Sequence, residues 1–97
     1  MRHAARVDAN QAQIVEALRA AGATVWIIKL PVDLLVGYKG KTMLVEIKNG
    51  PRKRLTVLQS DFFDNWMGGV LVRVDGAESA LQMLRVVDGK GTEDGGK

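Results

Sequence analysis

Residues 33–48 read DLLVGYKGKTMLVEIK. Two apolar runs, 34–36 and 42–48, flank GYKGK, a turn signal, and so predict a β-hairpin. Side chains alternate along a strand, so Met43, Val45 and Ile47 project to one face while Leu44, Glu46 and Lys48 project to the other. A two-residue turn at Lys39-Gly40 sets Tyr38 against Lys41. Counting outward from that pair sets Asp33 directly against Glu46, with Cβ atoms roughly 5 Å apart on one face. Lys-Gly is a weaker turn signal than Asn-Gly, and a bulge would displace this register by one residue.

The rest of the chain supplies partners for the hairpin. Three segments open with a polar cap followed three residues later by Glu or Gln, the capping-box pattern. Asp8 and Gln11 precede a helix to about Ala21, with Ile14, Leu18 and Ala21 on one stripe and Gly22 at its end. Thr56 and Gln59 open a second helix to about Met67, stopped by Gly68-Gly69. Asp75 and Glu78 open a third, carrying Ala77, Ala80, Leu81 and Leu84. Residues 24–30 (TVWIIKL) and 70–74 (VLVRV) are β-branched and apolar enough for strands. The predicted order is α-β-β-β-α-β-α, an α/β domain with one mixed sheet flanked by helices. The helix between the third and fourth strands is a crossover, which makes those two strands parallel. Residues 1–87 form one domain, and 88–97 (DGKGTEDGGK) read as a disordered glycine-rich tail.

Composition narrows the chemistry. Ninety-seven residues, 46% of them hydrophobic, suffice for one core. No apolar run is long enough to span a membrane, and the absence of cysteine rules out thiolate metal sites and suits the cytoplasm. A single histidine, His3, excludes mechanisms that need several. The net charge of +3 is uneven: Lys29, Lys39, Lys41, Lys48, Arg52, Lys53 and Arg54 face only Asp33 and Glu46 between positions 29 and 54. That segment carries +5 and the remainder −2. A basic segment around two carboxylates points to an anionic partner, nucleic acid first, although a solvated basic hairpin has the same count.

Two opposed carboxylates repel unless something compensates them. A divalent cation does so, and oxygen ligands from one or two carboxylates with water are what Mg²⁺ takes. Such an ion acidifies water and offsets charge on a phosphoryl oxygen. Lys48, two residues from Glu46, is placed to orient or deprotonate the attacking water or to hold the phosphate. The set is complete for metal-assisted phosphodiester hydrolysis.

At this point the residues resemble a family. PVD at 31–33, followed after twelve residues by EIK at 46–48, resembles the PD-(D/E)XK nuclease signature. With RVDANQAQIVEALRAAGATVW before it and LTVLQSDFF after it, residues 6–85 resemble the virus-type replication-repair nuclease (VRR-Nuc) domain. The resemblance implies a restriction-endonuclease-like PD-(D/E)XK core and a Mg²⁺-dependent DNA endonuclease, with Mn²⁺ as the expected substitute. It implies Asp33, Glu46 and the Ile47 backbone carbonyl as metal ligands, Lys48 as the catalytic lysine and Gln59 as a residue near the active site. Asp8 stands where the family often has a first-helix glutamate. It further implies a homodimer resembling Holliday-junction resolvases, acting on branched or junction DNA in the cytoplasm of a bacterial or phage-infected cell. Two departures are evident: Val32 separates Pro31 from Asp33, and position 8 is aspartate.

Several residues keep a second reading. Gln59 is either a site residue or only the last member of a Thr-x-x-Gln capping box, and N-capping explains Asp8 without any chemistry. Arg52, Lys53 and Arg54 are phosphate contacts or an exposed basic loop. Lys39 and Lys41, at the hairpin tip, reach a second stretch of DNA or solvent. Trp26, Phe62, Phe63 and Trp66 belong to the core or to a dimer contact. For the whole chain, the rivals to an endonuclease are a non-catalytic basic nucleic-acid-binding module and a protein-interaction subunit.

Overall fold

In the computed structural model, residues 2–48 and 55–89 are described, with side chains from residue 9 onward. They form α1 (Arg2–Ala20), β1 (Thr24–Ile27), β2 (Leu34–Tyr38), β3 (Lys41–Ile47), α2 (Val57–Asn65), β4 (Val70–Val74) and α3 (Ala77–Asp88). The strands make one four-stranded mixed sheet in the order β1-β2-β3-β4, antiparallel except for the parallel β3–β4 pair. The chain is therefore an α/β protein with its sheet flanked by helices.

The hairpin has the register counted from its turn. Tyr38 pairs with Lys41, and the ladder closes at Leu34 and Val45. Lys39 (φ 49°) and Gly40 (φ 80°) both have positive φ, the pattern of a type I′ turn whose twist matches that of the strands it joins. A one-residue slip would bring Glu46 to the core face in place of Val45 and Ile47, so the buried face pins the pairing.

That face holds Val25, Leu34, Val36, Met43, Val45, Ile47 and Val74, all buried. Ile14, Val15 and Leu18 from α1 and Ala80, Met83 and Leu84 from α3 complete the same cluster. Leu18 also anchors the end of α1. Its carbonyl accepts from the Ala23 amide at 3.0 Å, and the Arg19 carbonyl accepts from Gly22 at 3.0 Å, a Schellman closure with Gly22 at φ 102°.

The opposite face is different. Register aligns Trp26, Leu35, Leu44 and Leu71 in a row across the four strands, followed by Glu46 beside Arg73. The nine-residue α2 lies on this side and contributes no buried residue. Trp26 stays 67% exposed, Trp66 is exposed, and Phe62 and Phe63 are half-buried. The aromatic residues therefore lie outside the core, which corrects the core reading for them. A short helix cannot cover a four-stranded face.

Helix boundaries differ from expectation in all three helices, and α2 ends at Asn65, short of the expected Met67. The sequence before Asp8 is rich in Ala and Arg, both strong helix formers, and α1 is already helical at Arg2. Asp8 is thus interior and does not cap. At α3 the cap is Gly76, not Asp75, and Ser79 replaces Glu78 as the residue that reaches back. The Ser79 hydroxyl accepts from the amides of Asp75 (3.0 Å) and Gly76 (3.2 Å) and donates to Asp75 Oδ1 (2.9 Å). At its other end α3 includes Asp88, and Gly89 (φ 84°) donates its amide to the Val86 carbonyl. Residues 90–97 of the expected tail lie outside the described residues.

Candidate functional site

Asp33 sits one residue before β2, held from both sides. Its carbonyl accepts from the amides of Ile28 (2.9 Å) and Lys29 (3.3 Å), which closes the loop leaving β1. Lys29 adopts φ 73°, a conformation costly for a residue with a Cβ, and this loop closure retains it. On either side of Asp33, Val32 and Leu34 are fully buried, so the alternation turns the Asp33 side chain away from them. There Oδ2 accepts from the Ile47 amide at 2.8 Å, taking the ladder position that β2 no longer fills. Val32, the residue intervening after Pro31, is an anchor for Asp33.

The backbone N–H and C=O of one strand residue point to the same edge. With its amide aimed at Asp33, Ile47 turns its carbonyl to that side as well. Glu46, between Val45 and Ile47, projects to the face shared with α2. It is the one charged side chain buried among the described residues, at 4% exposure. Its Oε2 accepts from Gln59 Nε2 at 3.1 Å. An ionised carboxylate this buried needs compensating charge. Arg73, exposed, is its register partner across β3–β4 and shares its face. Lys48 stays on the same face, because its amide donates to the Val74 carbonyl at 2.7 Å and continues the ladder by one residue.

Gln59 closes the capping box and also contacts Glu46. Its Oε1 accepts from the Thr56 amide at 3.2 Å, while its own amide donates to Thr56 Oγ1 at 3.1 Å, a complete capping box. The other end of the same carboxamide holds Glu46. One planar group therefore fixes the start of α2 and ties it to β3.

Asp33, Glu46, Ile47, Lys48 and Gln59 are thus assembled at one end of the hairpin. Lys39 and Lys41 are not. They sit at the opposite end, roughly 17 Å away at about 3.4 Å per residue along five positions. Lys39 Nζ is 3.5 Å from Asp88 Oδ2 and 5.3 Å from the Tyr38 ring centroid. The Asp88 carboxylate, and after it Tyr38, raises the Lys39 pKa above the ordinary lysine value. This lysine ties the turn to the end of α3, while Lys41 is exposed. Arg52, Lys53, Arg54 and the Asp8 side chain lie outside the described residues.

The oxygens at the site suit a hard cation. Among the described residues no three His, Cys, Asp or Glu side chains are grouped so as to hold a metal ion by themselves. A cation here would take Asp33, Glu46 and the Ile47 carbonyl, with water or phosphate oxygens completing the shell, a set that fits Mg²⁺. The sequence alone does not single out Arg73. The signal was a lone charge in an otherwise apolar strand, but only the parallel register places it beside Glu46. No helix among the described residues is long and apolar enough to cross a membrane. Comparison with family models, with curated proteins and with solved structures finds no match to this chain.

Proposed function

We propose that this chain is a Mg²⁺-dependent endonuclease that hydrolyses DNA phosphodiester bonds, built on a PD-(D/E)XK core of the VRR-Nuc type. The observation that carries the reading is the clustering of Asp33, buried Glu46, Lys48 and Gln59 at one hairpin end, each held by a different part of the fold. When bound, Mg²⁺ supplies Lewis-acid chemistry, acidifying water and offsetting charge on a phosphoryl oxygen. Asp33 is oriented for its share by the Ile47 amide, and Gln59 orients Glu46 through one carboxylate oxygen. The Lys48 ammonium aligns the attacking water or stabilises the charge that develops on the phosphoryl group. Arg73, exposed on the same face, offers a planar fork to a phosphate.

With no recognition helix for a DNA groove among the described residues, binding rests on backbone charge and shape, which favours branched or junction DNA over a sequence. One site per chain makes one cut, so paired cuts at a four-way junction call for a homodimer.

The test incubates purified protein with single-stranded, duplex, flap and four-way-junction DNA, with and without Mg²⁺ or Mn²⁺. Wild type is expected to cut branched DNA only with metal, and folded Glu46→Gln to bind without cutting. Near-normal cutting by folded Glu46→Gln would falsify the site. Wild-type binding without cutting in either metal assigns the chain to the non-catalytic class.

A further inference from the structure

Beside the site, on the α2 side, lies a cavity of about 380 Å³ lined by Leu30, Pro31, Leu58, Gln59, Asp61 and Phe62. One of its walls belongs to the site and another adjoins it in the chain. Pro31 is two residues from Asp33, and Gln59 is the residue that holds Glu46. The rim is apolar and open to solvent, with Leu30 and Leu58 each about two-thirds exposed (66% and 67%). The Phe62 ring is braced by Trp66, 5.1 Å away and tilted, and by Phe63, 6.3 Å away and edge-on.

We infer that this cavity receives one unpaired nucleobase, from a nucleotide whose phosphate lies at the Asp33–Glu46 end of the hairpin; the inference rests on the nuclease reading. The volume is in the range of small-ligand pockets. A braced aromatic ring gives a planar base a stacking surface without ordering cost. The second hydrogen on Gln59 Nε2 and the exposed Asp61 carboxylate, which also accepts from Asn65 Nδ2, offer a donor and an acceptor to the base edge. An aliphatic side chain from a second copy would fill the same space without engaging those polar groups. One sugar separates a phosphate from its base, which matches a cavity sharing a wall, Gln59, with the carboxylate site. A base inside a duplex is stacked and paired and cannot enter, so the cavity selects DNA that already holds a base out of the stack.

The test uses a forked DNA with one unpaired nucleotide at the branch and the same fork with an abasic residue there. Binding is measured in Ca²⁺ and cleavage in Mg²⁺. Wild type is expected to bind the base-bearing fork about tenfold more tightly, and 2-aminopurine at that position to be quenched on binding. Because Phe62 packs on two other rings, Phe62→Ala is paired with Leu58→Glu at an exposed position. Both are expected to bring the base-to-abasic ratio close to one. Equal wild-type binding of the two forks overturns the inference, as does failure to bind either. An unchanged ratio in Leu58→Glu, with a wild-type dimer turned to monomer, overturns it too and gives the cavity to a second copy. A base preference in binding with no cutting in Mg²⁺ or Mn²⁺ supports the cavity and removes the nuclease reading alone.

Discussion

Replacing Gln59 with alanine removes two interactions made by opposite ends of one carboxamide, and a double-mutant cycle separates them. The Oε1 end closes the capping box with Thr56 at an exposed helix start, worth about 1 kcal/mol. The Nε2 end donates to a carboxylate that is only 4% exposed, and a hydrogen bond to a charged group contributes about 1.5–3 kcal/mol. Gln59→Ala is therefore expected to lose roughly 2.5–4 kcal/mol if both contributions are realised in full. Water entering at the partly exposed Gln59 position draws the result toward the lower figure. In a Glu46→Ala background only the cap remains to be lost, so the same substitution should cost about 1 kcal/mol there. The coupling between the two positions is then about 1.5–3 kcal/mol. Urea unfolding of wild type, both single variants and the double variant measures it, provided that all four share one m-value. Additivity within about 0.5 kcal/mol would refute the Gln59–Glu46 bond and leave Gln59 as a cap alone.

Three further outcomes are expected. Asp33→Asn keeps an acceptor for the Ile47 amide and should stay near wild-type stability while losing metal-dependent cleavage; Asp33→Ala strands that amide and should cost about 1–3 kcal/mol, so equal stabilities would contradict the bond. Lys48→Ala should lower the single-turnover rate far more than DNA affinity measured in Ca²⁺, because affinity is spread over many basic groups; equal losses would make Lys48 one more phosphate contact. Lys39 has a folded-state pKa raised chiefly by Asp88, so its stabilising contribution is fully present below the ordinary lysine value and is lost as pH rises through the higher folded value. The stability difference between wild type and Lys39→Met should accordingly be small at neutral pH and disappear above the lysine range. A difference that grows with alkaline pH would reverse that sign.

Much of this architecture is legible in the residues because local rules and burial agree. The hairpin register follows from a turn that tolerates positive φ and from a strand whose odd positions must be buried. The Thr56–Gln59 box is likewise local: four consecutive residues satisfy one another wherever α2 goes. Local patterns failed where two neighbouring residues could do the same work. Asp75 and Gly76 compete to start α3, and Ser79 wins over Glu78 because a short hydroxyl reaches both amides at once. At α1 the aspartate resembled a cap, but the helix-forming residues ahead of it extend the helix past it.

The site divides along the same line. The alternation of residues 43–48 alone put Glu46 and Lys48 on one face, and the turn count alone set Asp33 against Glu46. Tertiary structure decided that Gln59 spends its second end on Glu46, because that contact exists only when the crossover lays α2 over the sheet. It likewise decided that Arg73 stands beside Glu46, since a parallel register is set by the packing of the crossover and not by a turn. Trp26, Phe62, Phe63 and Trp66 were left outside the core because α2 is too short to cover its face of the sheet. Pairings within one hairpin depend on a few adjacent dihedral angles. Contacts across the crossover depend on where a whole helix comes to rest, which no short stretch of sequence encodes.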